Sequence, residues 1–362
     1  MKTIYFAHWH KDTLINVKGD TVLKYPKNSI SLLAYSAINL AEMMIKKGIT
    51  VYPANHIYKP WRADMPLPKR LVLFLVDYGI GDHLAMSSLF YWLEKNKTIN
   101  ISVFVAPREF HIYKWFKSQN FTLHDGTGII MPDYSIQTRL KNKHTQRLEM
   151  EWAAVDAGSR NWYDAIFERA GIVIESDEWR RPHISDNQFV EANKMVKSVL
   201  ITHSASCQIR SSRFQDFYIP VKRALPDYQI FVNQFDLVED DLKWIEAHKA
   251  KVNIVKTGNA EDYLSRLRDY SLVVTTDSAP LHFREGLGLP AIAAFSAMTA
   301  ESRASAYKHT HSINIKSDCP LAPCFQHGSF CSQRHKNEII ARCITGEHFQ
   351  EQLYEGIKGY WF

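Results

Sequence analysis

The sequence predicts an α/β protein made of two blocks of alternating strands and helices, each a parallel sheet covered by helices. Three observations predict it. Continuous apolar runs such as "LVLFLV" at Leu71 to Val76 suit strands buried on both faces. These runs alternate with segments whose apolar residues recur at helical spacing. At 362 residues the chain is too long for one ordinary core and fits two domains of about 150 residues.

Composition sets the class. Hydrophobic residues are 46% and charged residues 23%, close to soluble globular averages, and no run reaches the roughly 20 apolar residues of a membrane span. The N-terminus, "MKTIYFAHWHKDTLINVKGD", has no apolar core of signal-peptide length, so a cytoplasmic location is expected. A net charge of +6 suits a polyanion, an anionic small substrate, or peripheral contact with anionic headgroups.

Taken in order, residues 1–68 read as an N-terminal extension packed on or extending the first domain. It holds a strand at Thr3 to Ala7, a hairpin through Asn16 to Tyr25, a helix over Ser29 to Lys47 and a strand at "KKGITVY". The proline-rich "KPWRADMPLPKR" marks a boundary. Residues 69–190 form the first domain, with a strand at Leu71 to Val76, a helix at Ala85 to Lys95 and a strand at Ile101 to Ala106. The basic tract Arg139 to Arg147 reads as a solvated helix or loop.

Residues 191–345 form a second Rossmann-like unit. Its strands are "SVLITH", "YQIFVN", "VNIVKTG", "SLVVTTD" and "PAIAAFS"; its helices are "FYIPVKRAL", with Pro220 near the start, "EDDLKWIEAHK", "AEDYLSRLRDY" and "PLHFREGLG". The last segment, 346–362, predicts a helix that packs back across the domains.

Two turns in the second block suit phosphate. In "TTDSAPLHF", a buried strand ends, a polar turn follows, and Pro280 sits in the first helical turn, where its missing N–H costs nothing. The amides of Asp277, Ser278 and Ala279 and the imidazole of His282 can then meet an anion. The plainer alternative is that Asp277 or Ser278 only caps the helix. In "THSASCQIRSSRF", Ser204, Ser206, Arg210 and Arg213 supply hydroxyl and guanidinium donors. Both turns follow strands, where open α/β sheets bind ligands.

In the first block, "DYGIGDHL" offers Asp82 between a glycine-rich turn and a helix, with Gly81 and His83 beside it. Asp82 suits a helix cap, a dinucleotide loop or a catalytic base. The third glycine of a dinucleotide fingerprint is missing, and Glu109, beyond a proline, is misplaced for its ribose acid.

Taken together these motifs resemble glycosyltransferase family nine, the ADP-heptose:lipopolysaccharide heptosyltransferases and their relatives. "GIGDHLAMSSLF" is similar to the family's glycine-aspartate turn, and "HSASCQIRSSRF" to its second turn. "KTGNAEDYLSRLRDYSLVVTTDSAPLHFREGLGLPAIAAFS" is similar to its most specific segment. The resemblance implies a GT-B fold: two Rossmann-like domains with parallel sheets facing a central cleft, the first holding the acceptor and the second a nucleotide-diphosphate sugar. It implies Asp82 as catalytic base, with Gly81 and His83 on the acceptor side. Arg210 or Arg213 would bind the diphosphate, Asp277, Ser278, Ala279 and His282 the donor, and Glu239 the nucleoside.

Departures are visible. Ala279 replaces a family glycine, "FSAMT" replaces Phe-Gly-Pro-Thr, and Arg284 with Glu285 stands where small residues are usual, so the donor can differ from ADP-heptose. Cys319, Cys324, Cys331 and Cys343, in the loop 319–343, lie where some relatives bind metal. Four thiolates suit structural zinc or iron, but only the first gap has the common short spacing. Reduced thiols are the other reading.

The expected function is inverting, metal-independent transfer of a sugar from a nucleotide-diphosphate sugar to an acceptor hydroxyl, without a cofactor. A lipopolysaccharide-like glycan is the family's acceptor. The positive charge and arginine-rich middle keep open DNA with a hydroxymethylated base, as in phage DNA modification. A noncatalytic module binding a nucleotide-sugar or nucleic acid is the third reading.

Overall fold

The computed structural model describes residues 5–9, 13–17, 21–25, 29–33, 45–46, 50–53, 59–68, 70–75, 79–97, 99, 101–125, 145–148, 161–185, 195–205, 210–317, 322–323 and 344–361. The chain opens with β1 (Tyr5–Trp9), β2 (Thr13–Val17), β3 (Thr21–Tyr25), β4 (Ser29–Leu33) and β5 (Thr50–Pro53). β1 lies antiparallel between β4 and β5, and β2 pairs with β3 as a hairpin. The helix expected from Ser29 is corrected: Ser29–Leu33 is a strand, with Ile30 opposite His8 and Leu32 opposite Phe6. Its Ser-Ile-Ser-Leu alternation has the period of two that a strand needs. Of the expected helical span, Ile45 and Lys46 are helical among the described residues.

The next elements are β6 (Lys59–Trp61), β7 (Arg70–Phe74), α1 (Ile80–Lys97), β8 (Ile101–Val105), α2 (Phe110–Tyr113), β9 (Phe121–Asp125), β10 (Thr145–Leu148) and α3 (Trp162–Arg169). They contain a parallel sheet in the order β6-β10-β7-β8-β9. Two readings change here. Lys59–Trp61, inside the proline-rich boundary, is an edge strand, a position that tolerates Pro60. Thr145–Arg147, inside the basic tract, is an inner strand; Gln146 pairs with Lys59 on one side and Leu71 on the other. Pairing on both edges overrides its polar composition. Residues 139–144 lie outside the described residues.

The second half contains β11 (Met195–Thr202), α4 (Phe214–Ala224), β12 (Gln229–Asn233), α5 (Glu239–Ala247), β13 (Asn253–Val255), α6 (Ala260–Arg266), β14 (Tyr270–Thr276), α7 (Ala279–Gly286), β15 (Ala291–Phe295), α8 (Ala300–Ala304), β16 (Thr310–Asn314) and α9 (Gly346–Trp361). Its six-stranded parallel sheet runs β13-β12-β11-β14-β15-β16. This is the doubly wound order, whose direction reverses between β11 and β14. The first sheet reverses between β7 and β10. Both predicted phosphate turns and the Asp82 turn follow strands at these reversal points.

α4 begins at Phe214, so Pro220 lies mid-helix. α9 packs back on the second half of the chain. Phe349, Leu353 and Ile357, spaced by four, form a stripe packed with Phe217 and Val221 on the outer face of the second sheet. A separate continuous core runs from Leu71, Leu84 and Trp115 to Leu264, Phe283 and Ala293, joining the first sheet to the inner face of the second. Trp115 meets Phe283 edge to face at 4.8 Å. Among the described residues no helix is long and apolar enough to cross a membrane.

Candidate active site

The ends of the two sheets enclose a cavity of about 510 Å³. One wall is the first turn of α1. This helix starts just after Gly79, and Asp82 in its first turn reaches back so that its Oδ2 accepts from the Gly79 amide at 2.9 Å. The carboxylate thereby serves one of the amides that a helix start leaves unpaired, and it still lines the cavity. Capping and facing the cleft are compatible here.

The opposite wall is the start of α7. Ser278 is its N-cap residue but makes no side-chain cap; its hydroxyl pairs with Thr275 Oγ1 at 3.0 Å. The plainer reading, a capping Asp277 or Ser278, therefore does not hold. Pro280 occupies the first turn as expected. The α7 start keeps its partial positive charge facing the cavity. α1 and α7 abut: a β-carbon on Gly81 would lie 2.9 Å from His282 Cδ2 and 3.5 Å from Ala279 Cα.

Asp277 is the charged centre of this wall. Its Oδ2 accepts from Arg210 Nη1 at 3.1 Å, and the same nitrogen donates to the Asp277 carbonyl. Arg303 Nε stands 4.0 Å from Oδ2. Burial pushes the Asp277 carboxyl up, but Arg210 and Arg303 outweigh it and hold it below the usual range. Two guanidiniums share one carboxylate, leaving a net positive wall. Arg303 is buried, and its guanidinium lies 4.4 Å above the Trp162 ring. The Trp162 indole also stacks on His282, at 5.6 Å and 11°.

His282 has its value pushed down to about 4, mainly by burial, with Asp277 opposing and Arg303 and Arg210 adding to the fall. On the side of β12, Asp236 is buried and accepts a hydrogen bond from the Ser204 hydroxyl. Burial pushes the Asp236 carboxyl up to about 6. Phe235, Tyr263 and the turn Thr257 to Asn259 complete this side.

The structure thus brings together Asp82, Gly81, Ser204, Arg210, Asp277, Ser278, Ala279 and His282. It does not bring in the others. Arg213 is half-exposed and pairs with Asp216 at 2.8 Å. Glu239 is exposed in the first turn of α5 and pairs with Lys243 at 2.7 Å. His83 is buried in the core, between the Tyr113 hydroxyl at 2.8 Å and Glu109 at 3.2 Å, because residue 83 follows the cavity wall by one position and turns to the inner face of α1. Ser206 and the four cysteines of the 319–343 loop lie outside the described residues. Among the described residues, no group of three or more His, Cys, Asp or Glu side chains is placed to hold a metal.

Arg284 and Glu285 leave the cavity unchanged. Arg284 turns inward and donates to the carbonyls of Leu267, Tyr270, Ser271 and Pro290. Glu285 accepts from the amides of Lys308 and His309. Sequence reading missed Arg303, Trp162 and Asp236. Arg303 lies on a five-residue helix, and Trp162 stands among many aromatics, so neither carries a spacing signal.

The two parallel sheets and the cleft between their carboxyl ends define the class as α/β with the GT-B architecture. Among solved structures, the chain is similar to the glycosyl transferase family 9 protein from Veillonella parvula DSM 2008, at 12% identity and a TM-score of 0.55, over 82% of this chain and 98% of that one. It is also similar to the iron-containing dodecameric glycosyltransferase TibC from enterotoxigenic E. coli H10407, at 12% identity and a TM-score of 0.53, over 99% and 90%. A second structure of TibC, in complex with ADP-D-beta-D-heptose, gives 10% identity and a TM-score of 0.52, over 99% and 89%. At these identities the likeness shows the fold. No family model and no curated protein matches the chain.

Proposed function

We propose that the protein is an inverting glycosyltransferase that moves a sugar from a nucleotide-diphosphate sugar to an acceptor hydroxyl. The observation that carries this is the placement of Asp82 on one wall of the cavity and the Arg210–Asp277–Arg303 cluster on the other. The first sheet presents the acceptor, and the second holds the donor.

The residue types support the chemistry. The acceptor oxygen attacks the anomeric carbon as its proton passes to the Asp82 carboxylate. The bond from that carbon to the diphosphate breaks, and the negative charge released is met by Arg210, Arg303 and the α7 start. These positive groups come from the chain itself. The Gly79 amide fixes the Asp82 side chain, so the base is positioned before substrate arrives. Phe235 and Tyr263, 4.9 Å apart and edge to face, border the donor end of the cavity and offer aromatic surface to a nucleoside.

ADP-heptose, bound in the TibC complex, is the first donor to test, and a glycan is the acceptor class that the motif resemblance favours. Nothing among the described residues favours a DNA acceptor. The test is a panel of nucleotide-sugars, scored first by thermal stabilisation and then by transfer to glycan acceptors. One donor should raise the melting temperature, and its sugar should transfer with inverted anomeric configuration. Stabilisation with neither transfer to any acceptor nor hydrolysis of the donor would favour a binding module instead.

A further inference from the structure

Behind the cavity wall runs a chain of hydroxyls that belongs to neither substrate. The Tyr163 and Tyr307 hydroxyls are 2.8 Å apart, and the Tyr307 hydroxyl is 2.7 Å from His282 Nδ1. All three side chains are buried. Tyr163 comes from α3, which follows the first sheet in the chain, and Tyr307 follows α8 of the second half. The opposite edge of the imidazole, Cδ2 and Nε2, faces Gly81 at the start of α1, and His282 lines the cavity.

Only one direction of donation uses both hydroxyl hydrogens of this chain. If Tyr163 donates to Tyr307 and Tyr307 donates to Nδ1, both hydroxyl hydrogens are bonded. In the reverse direction Nδ1–H donates to Tyr307 and Tyr307 to Tyr163, which strands the Tyr163 hydrogen in a fully buried place. An unmade buried hydrogen bond is costly enough to select the first direction by about fivefold or more.

We propose that Tyr307 is a positioning residue that locks His282 in the Nε2–H tautomer, so that Nε2 points a hydrogen-bond donor at phosphoryl oxygens in the cavity. This rests on the nucleotide-diphosphate reading only for the identity of the acceptor oxygens. The consequence is a donor without a net charge. Asp277, Arg210 and Arg303 are the charged groups that face the ring; two of the three are cationic and, with burial, disfavour a protonated imidazole. Trp162, stacked on the ring, holds its plane.

The test is nitrogen-15 NMR of imidazole tautomers in the full ligand-free chain, with the His282 signals assigned by their loss in His282→Asn. The wild type should show Nε2–H and a bare Nδ1. Tyr307→Phe should lose this single tautomer while circular dichroism stays native, and Tyr163→Phe, which leaves Tyr307 free to donate, should keep it. A wild-type Nδ1–H signal, or an unchanged tautomer in Tyr307→Phe, overturns the proposal. Addition of ADP should shift the Nε2 resonance, and Tyr307→Phe should weaken ADP binding about five- to tenfold, the worth of one misdirected hydrogen bond. The expected tautomer with no nucleotide or pyrophosphate response would overturn the phosphoryl contact and the nucleotide reading together, while leaving the tautomer lock standing. The wrong tautomer with intact ADP binding would sink the lock alone.

Discussion

Gly81 and His282 meet across the cleft, with space for a hydrogen and no more: a β-carbon on Gly81 would lie 2.9 Å from His282 Cδ2. His282 cannot yield cheaply, because Trp162 stacks on its face and Tyr307 holds Nδ1. Gly81→Ala should therefore cost about 1–3 kcal/mol of stability through overpacking, despite the gain of about 0.5–1 kcal/mol that alanine usually brings to a helix. Denaturant titration measures the balance. A stabilised variant would show that α1 and α7 are not in firm contact.

Asp82 has two roles that substitution separates. Asp82→Asn keeps an oxygen for the Gly79 amide, so stability should change by under about 1 kcal/mol, while transfer should fall about 100- to 10,000-fold with loss of the base. Asp82→Ala should lose transfer and also about 1 kcal/mol of capping. Both should still bind the nucleotide donor. Near-normal turnover in Asp82→Asn would remove it from the base role.

Arg210→Met and Arg303→Met should each weaken binding of a nucleoside diphosphate about 10- to 100-fold, the range for a hydrogen bond to a charged group. Arg213→Met should change it less than about twofold, since Arg213 faces Asp216 outside the cavity. Calorimetry with ADP and UDP separates them. An effect of Arg213→Met as large as that of Arg210→Met would mean the donor lies elsewhere.

Stability should fall as pH drops from about 6.5 to 4. Burial holds His282 and His183 at about 4 in the folded chain, so over that range the unfolded chain binds protons that the folded chain refuses. Asp236 opposes this. Held at about 6 by burial, it contributes stability that is present at low pH and lost as pH rises through about 6. Two histidine shifts outweigh one carboxyl shift, for a net loss of a few kcal/mol. Asp236→Asn removes the opposing contribution and should steepen the decline, as read by denaturant midpoints at several pH values. A flat profile in that variant would contradict the assignment.

The second sheet was the most legible part of the sequence, because its strands are apolar runs and its helices carry strong stripes such as Phe349, Leu353 and Ile357. The site was legible where chemistry and turn coincide, at Asp82, Arg210, Asp277 and His282. It was opaque where position depends on how the two halves meet. Trp162 and Arg303 come from separate halves, 141 residues apart, and no local pattern shows that one ring covers the other's charge. His83 lies off the cavity for the converse reason, since a neighbour in sequence to a cavity residue points the other way on a helix, and Glu239 starts α5 three residues beyond Asp236, where it pairs with Lys243. In the N-terminal piece, a strand with serine at alternate positions was hidden by the apolar residues that follow it, and β10 was hidden by its polar composition.

Pro220 lies in the middle of α4, but the residue four places before it matters more. Asp216 is fully buried, and its carboxylate accepts from Arg213 Nε, from the Gly346 amide at 3.0 Å and from Gln350 Nε2 at 2.8 Å. A helix made earlier thus supplies the anchor for a helix made later. During synthesis at about 5–20 residues per second, the 130 residues between Asp216 and Gly346 occupy the ribosome for roughly 6 to 26 seconds. Through that interval the acid lacks two of its three partners and α4 lacks the cover of Phe349 and Leu353. The second sheet can assemble strand by strand, but it closes only when α9 emerges.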